Sequence, residues 1–361
     1  MKKILILSAN YGTGHLIAAK AIKQLLEEEN EVEIIDIVEE GYFLEKISSK
    51  AYIWLNRHSH LLWRFIYYNP ISKSKILRVL SKKLIRDNIY KKIKSYKPDI
   101  IISTHFYATV YGIKYKAEYP KTKLFVCITD YEVHPFWIYN EVDLYFLPSH
   151  FSLQNFKLTN YVITGIPLRR NFWQELNKYE IRKKLKIETN NLVVLLNLGS
   201  HSVLPLKDAI KYINLFKDKL YFLIIGGKDK VRYEKIQNAL NQIGAYYKLY
   251  SFTEDIHELM FACDFSITKA GGLSLSELIY TKRPAIYYKS LPGQEEGNEK
   301  FIREYGLGFT AKNFSQLLKF TNLIIENPSI LDYFQSNLSF QKENMNFFRI
   351  RQIVSHETYA L

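Results

Sequence analysis

Short apolar runs recur along this chain, each closed by turn or polar residues, and many are followed by a stretch with helical spacing. Unbroken apolar runs suit strands buried on both faces, as in parallel sheets. The first, Lys2 to Leu7, ends in a glycine-rich turn. Leu16 to Glu29 then reads as a helix with Ala18, Ala19, Ile22, Leu25 and Leu26 inward, and Glu31 to Val38 as the next strand. This β-turn-α-β opening predicts a parallel α/β sheet. Asp99 to Ser103, Leu124 to Thr129, Asp143 to Leu147 and Tyr161 to Thr164 extend it.

A second alternation starts near Asn191. Leu192 to Leu198, Leu220 to Ile225, Tyr246 to Tyr250, Phe265 to Thr268 and Pro284 to Tyr288 read as strands, with helices such as Asp229 to Gln242 and Thr253 to Ala262 between them. Thr164-Gly165-Ile166-Pro167 through about Lys178 is the expected hinge between the two halves.

A length of 361 residues suits two domains, each with its own core. Hydrophobic residues make up 47% and charged residues 24%, a globular composition. Cys127 and Cys263 lie far apart in apolar runs, which reads as two buried thiols in a reducing compartment. Lys2 and Lys3 before an apolar run imitate a signal peptide, but the glycines at 12 and 14 break the run and no small-residue cleavage site follows. No stretch is long and apolar enough to span a bilayer, so the expected location is cytoplasmic.

The formal net charge of +14 points to an anionic partner. Most of it is concentrated: Phe43 to Lys97 carries fourteen Lys or Arg against Glu45 and Asp87, a local charge of +12. Helices broken at Asn69-Pro70 are expected there. Among the cations, which include Lys82, Lys83 and Arg86, stand Tyr52, Trp54, Trp63, Phe65, Tyr67 and Tyr68. Basic residues with amphipathic aromatics suit an interfacial segment on an anionic leaflet. Core packing of the aromatics, or nucleic-acid binding, is the competing reading.

Four motifs fall at expected strand ends. Gly12-Thr13-Gly14-His15 brings backbone close to a ligand at a helix start, although a dinucleotide fingerprint lacks its third glycine because Ile17 stands there. The plainer reading is a turn and a capping histidine. Lys269 to Glu277 sets Gly271 and Gly272 for a diphosphate, Ser274 and Ser276 as hydroxyl donors and Glu277 as acceptor for ribose hydroxyls. Ser274 and Glu277 equally fit a capping box. Gln294, Glu295 and Asn298 supply amide and carboxylate groups for a sugar, or cap a helix near Asn298 to Tyr305. Asp130 and His134 follow a strand, where α/β sheets place ligands, but a His-Pro turn among aromatics also serves packing.

Taken in order, these segments, with Thr164-Gly165-Ile166-Pro167-Leu168-Arg169, resemble the family of monogalactosyldiacylglycerol synthases and processive diacylglycerol glucosyltransferases, and more distantly the transferase that makes lipid II. The resemblance implies a GT-B fold, two Rossmann-like domains facing across a cleft. Residues 1–166 and about 332–361 would form the acceptor and membrane-binding domain, and 167–331 the UDP-sugar domain. It implies transfer of glucose or galactose, with inversion, from a UDP-sugar to diacylglycerol or a glycosyldiacylglycerol at the cytoplasmic side of the membrane. By similarity the backbone near Phe252 meets uracil, Glu277 the ribose, Gly271 and Gly272 the diphosphate, and Gln294 and Glu295 the sugar. The chain departs from the family after Leu198, where Gly199-Ser200-His201-Ser202 replaces a glycine-rich loop.

Inversion needs a base for the acceptor hydroxyl, and a histidine suits neutral pH. His15 is the expected base, with Asp130 its partner or substitute, and Gly12, Gly14 and His134 lining the acceptor side. Helix N-termini can stabilise a leaving diphosphate, so no obligatory metal or cofactor is expected. A prenyl-pyrophosphate-using lipid II-type transferase, a UDP-sugar epimerase, and a non-catalytic binder of anionic lipid or nucleic acid remain as alternatives.

Overall fold

A computed structural model describes residues 1–10, 13–40, 85–154, 157–198, 204–290 and 293–356. They fall into two compact units: 1–170 with 291–298 and 344–361, and 171–290 with 299–343.

In the first unit β1 (Lys3–Ser8), α1 (Thr13–Leu26), β2 (Glu31–Asp36), α2 (Asp87–Tyr96), β3 (Ile100–Ser103), α3 (Phe106–Glu118), β4 (Lys123–Cys127), β5 (Leu144–Leu147) and β6 (Tyr161–Ile163) follow in order. All neighbouring strands are parallel, in the order β2-β1-β3-β4-β5-β6. Ile4 to Leu7 and Ile100 to Ile102 are buried because helices cover both faces of the sheet. The predicted inward residues of α1, from Ala18 to Leu26, are buried as their spacing requires.

The second unit holds α4 (Lys178–Lys184), β7 (Leu192–Asn197), α5 (Leu206–Phe216), β8 (Leu220–Ile225), α6 (Lys230–Ile243), β9 (Tyr247–Tyr250), α7 (Ile256–Ala262), β10 (Phe265–Thr268), α8 (Gly272–Thr281) and β11 (Ala285–Tyr288). After α9 (Gln294–Tyr305), which belongs to this unit from Glu299 onward, come β12 (Gly308–Ala311), α10 (Phe314–Glu326) and α11 (Ile330–Glu343), and the chain then returns to the first unit as α12 (Arg349–His356). The second sheet, again parallel, runs β12-β11-β10-β7-β8-β9. Asp264 ties its centre together, accepting from Val193 N at 2.6 Å and pairing with Arg182 at 2.7 Å and with Lys178.

Two boundaries differ from the sequence reading. The chain rejoins the first unit at 344, not near Asp332, because α11 packs on α8 of the second unit. Within the first unit α12 lies on α1, with Arg351 paired to Glu28 at 3.2 Å and to Glu29 at 2.5 Å. Residues 291–298 also group with the first unit, although the sequence places them in the donor domain.

Cys127 and Cys263 are buried free thiols, and burial pushes them up to about 12 and about 11. The membrane candidates Trp54, Trp63, Phe65, Lys82 and Lys83 lie outside the described residues, as do Gly12 and residues 199–203. Arg86 precedes α2, its amide donating to the Tyr111 hydroxyl at 3.1 Å. Beyond it Lys94 pairs with Glu118 at 2.9 Å and Lys92 with Glu40, so part of the basic segment is locally neutralised. Among the described residues no helix is long and apolar enough to cross a membrane.

Candidate functional site

Each sheet has one place where chain order reverses. From β1 the chain goes to β2 on one side and then to β3 on the other; from β7 it goes to β8 and later returns beside β7 as β10. In sheets of this kind the point of reversal, beyond the carboxyl ends of the strands, is the usual ligand position. Two of the four sequence motifs follow strands at these points.

In the first unit the ends of β1 and β3 are joined by Thr104 Oγ1 donating to Ser8 Oγ at 3.0 Å. His15, in the first turn of α1, has its Nδ1 3.0 Å from the Thr104 carbonyl and 2.8 Å from Thr129 Oγ1, which follows β4. A carbonyl only accepts, so Nδ1 carries the hydrogen and the lone pair sits on Nε2. His15 keeps some solvent exposure, but its imidazole is enclosed by these groups, the His105 ring edge-on at 4.7 Å and Trp137 at 6.3 Å. Loss of water outweighs the carbonyl bond and lowers its pKa to about 4. His15 is therefore neutral, and able to accept a proton, throughout the physiological range.

Asp130 is buried just beyond β4. The groups placed on His15 Nδ1 are Thr104 and Thr129. His134 is buried before a 3-10 turn, Pro135–Trp137, and its Nδ1 accepts from Phe136 N at 3.2 Å, so it caps that turn. The Thr129–Trp137 segment is held by α9: Tyr131 N donates to Asn298 Oδ1 at 2.8 Å, and a Cβ at Gly297 would lie 2.4 Å from the Glu132 side chain. The fully buried Asn298, read from sequence as a sugar ligand, thus spends its carbonyl oxygen on the first unit's backbone.

In the second unit α8 starts at Gly272 with Gly271 as its N-cap, and no side chain caps it. The capping-box reading of Ser274 and Glu277 fails because Ser274 is already inside the first turn. The cap residue therefore offers no side-chain acceptor to the first amides of α8. Ser276 departs from its assigned role as a phosphate donor: its hydroxyl donates back to Gly272 O at 3.0 Å. Glu277 is buried one turn further on, while Ser274 is partly exposed. Phe252, past β9, is 51% exposed with Lys228 Nζ 4.2 Å from its ring centroid.

The helix α9 begins at Gln294, earlier than the sequence suggests, and Glu296 is its local cap, accepting from Gly293 N at 3.2 Å. Glu295 beside it is buried. Sequence reasoning missed His105, Thr104 and Trp137 around His15. Ser103-Thr104-His105 closes an apolar strand, the one available signal, but nothing local shows that this strand lies beside β1.

The profile of the monogalactosyldiacylglycerol (MGDG) synthase family matches residues 15–168, and that of the glycosyltransferase family 28 C-terminal domain matches residues 193–300. A processive diacylglycerol beta-glucosyltransferase from Bacillus licheniformis is 26% identical over 359 residues, covering 93% of this chain and 90% of that protein. Among solved structures, Acinetobacter baumannii MurG superposes with a TM-score of 0.60 at 13% identity, covering 98% of both chains. Anabaena HepE, solved with UDP and glucose, gives 0.57 at 15% identity over the whole of both chains.

Proposed function

Because the chain belongs to the family of monogalactosyldiacylglycerol synthases and diacylglycerol glucosyltransferases and has the GT-B fold, we propose that it moves a hexose from a UDP-sugar onto diacylglycerol. The observation that carries the reading is the pair of switch points: a neutral, fixed histidine at one, and a helix start capped only by glycine at the other. Their chemistries suit the two ends of one displacement. As the acceptor oxygen attacks the anomeric carbon, its proton goes to His15 Nε2. The bond from that carbon to the diphosphate breaks, the configuration inverts, and the electron pair leaves with UDP. Backbone amides of Gly272 and its neighbours, with the positive end of α8, stabilise the departing charge. Such stabilisation needs no metal.

Glu277 is assigned to the ribose hydroxyls and the backbone near Phe252 to the uracil. Gln294 and Glu295 are assigned to the sugar, with Asn298 holding the loop that carries Asp130. Glucose is favoured over galactose by the named activity of the Bacillus relative. The basic-aromatic segment 43–97 brings the enzyme to anionic lipid, where its acceptor resides, on the cytoplasmic face.

Incubation with radiolabelled UDP-glucose or UDP-galactose and diacylglycerol vesicles, resolved by lipid chromatography, tests the proposal. Labelled glycosyldiacylglycerol is the expected product. Label appearing only on a prenyl-pyrophosphate acceptor, or on no lipid, would overturn it.

A further inference from the structure

His105 is a second buried histidine at the first unit's switch point, and the displacement above gives it no task. It is the N-cap of α3, and its Nδ1 accepts from Tyr107 N at 3.2 Å. Accepting that bond fixes the lone pair on Nδ1 and the hydrogen on Nε2, so the capping ring is a neutral imidazole in a single tautomer. The turn that carries it is locked as well: Ser103 Oγ donates to the His105 carbonyl at 2.9 Å, and Thr109 Oγ1 donates to the same oxygen at 3.1 Å.

Its other neighbour is His15, met edge-on at 4.7 Å, while Phe106 and Trp137 flank it at 4.3 and 6.3 Å. The same turn supplies the Thr104 carbonyl that orients His15. We propose that His105 is a positioning residue: as an uncharged ring pinned to the start of α3, it walls the His15 imidazole from water and keeps His15 in the form that accepts the acceptor's proton.

The shared burial has the sign this role needs. Desolvation pushes both rings down, His105 well below the usual histidine range, and a proton on His15 further disfavours one on His105. Other ionisable groups on the packed elements include Asp130, Glu132 and His134 on the segment after β4, Glu295 and Glu296 at the start of α9, Lys20 and Lys23 on α1, and Lys114, Lys116 and Glu118 on α3. A carboxylate near His15 would raise its pKa, so the lowered value reflects enclosure. The inference deepens the proposed role of His15 and rests on it.

Two substitutions separate the wall from the cap. His105→Asn keeps an N-cap acceptor and removes the ring; His105→Phe keeps the ring's bulk and removes the cap. His15 is followed by NMR titration of its ring in the full-length protein without substrate, beside transfer assays over the same pH range. In His105→Asn the His15 midpoint is expected to climb from about 4 toward 6.5, with the acid limb of kcat/KM moving alongside it. In His105→Phe the midpoint is expected to stay near its original value while the melting temperature drops. An unshifted midpoint in His105→Asn, or a shift confined to His105→Phe, would make His105 a cap and nothing more. A shifted midpoint with an unmoved kcat/KM profile supports the wall and removes His15 as the base.

Discussion

The two units share one backbone plan, a six-stranded parallel sheet with a single reversal of order, yet their reversal points are furnished differently. In the first, the strand ends carry hydroxyls and a pair of histidines enclosed by aromatics, so the group that can change its charge is desolvated and held in one tautomer. In the second, the strand end β10 runs through Gly271 into a helix without a side-chain cap. What distinguishes proton chemistry from anion chemistry here is the few residues after each strand, since both sheets are parallel and reverse order once, with one strand beyond β1 in the first and two beyond β7 in the second. Chemistry at an enclosed imidazole depends on pH; binding by backbone amides does not.

The largest effect expected of a single change falls on the first unit: His15→Ala lowers turnover by about 10²–10⁴-fold, measured as labelled lipid formed per minute. Near-native turnover in that variant would move the base to Asp130. The second unit answers in affinity. Glu277→Ala is expected to weaken UDP binding by about 1–3 kcal/mol in calorimetry, because it removes the buried carboxylate proposed to accept the ribose hydroxyls. An unchanged dissociation constant in a folded variant would leave Glu277 structural.

A third change tests whether 291–298 serves the first unit. Asn298→Ala removes the Oδ1 that accepts from the Tyr131 amide and is expected to cost about 1–2 kcal/mol of stability in thermal melts; a normal melt with weakened donor binding would return Asn298 to the sugar site. Smallest per residue is the basic segment, where replacing Lys82 or Lys83 by Ser should cost about 1 kcal/mol each in binding to anionic vesicles, and less as salt rises. Equal flotation with neutral vesicles, or tighter binding to single-stranded RNA, counts against a membrane role.

Most of the sheets was legible because buried parallel strands announce themselves as apolar runs; β12 was not. Its four residues begin at Gly308, with φ at 153°, and are mostly half-buried, so Phe309 and Thr310 stand between a glycine and an alanine without the apolar run that betrays a buried strand. The glycine motifs were read at strand ends, and the segments that carry them do follow β1 and β10. Their detailed roles were less readable, because a helix start shifted by two or three residues changes the job of each side chain: Ser274 leaves the cap and Ser276 turns onto Gly272. His105 and the attachment of Asn298 to Tyr131 depend on contacts between residues distant in sequence, 90 and 167 positions in the two cases, which no local pattern encodes.

That one unit carries the base and the other the donor is tested most directly by titrating UDP into His15→Ala in a calorimeter. The expected dissociation constant lies within about twofold of that of the unaltered protein, beside a turnover lower by orders of magnitude. A loss of UDP affinity matching the loss of turnover would contradict it, because the histidine would then be part of the donor site.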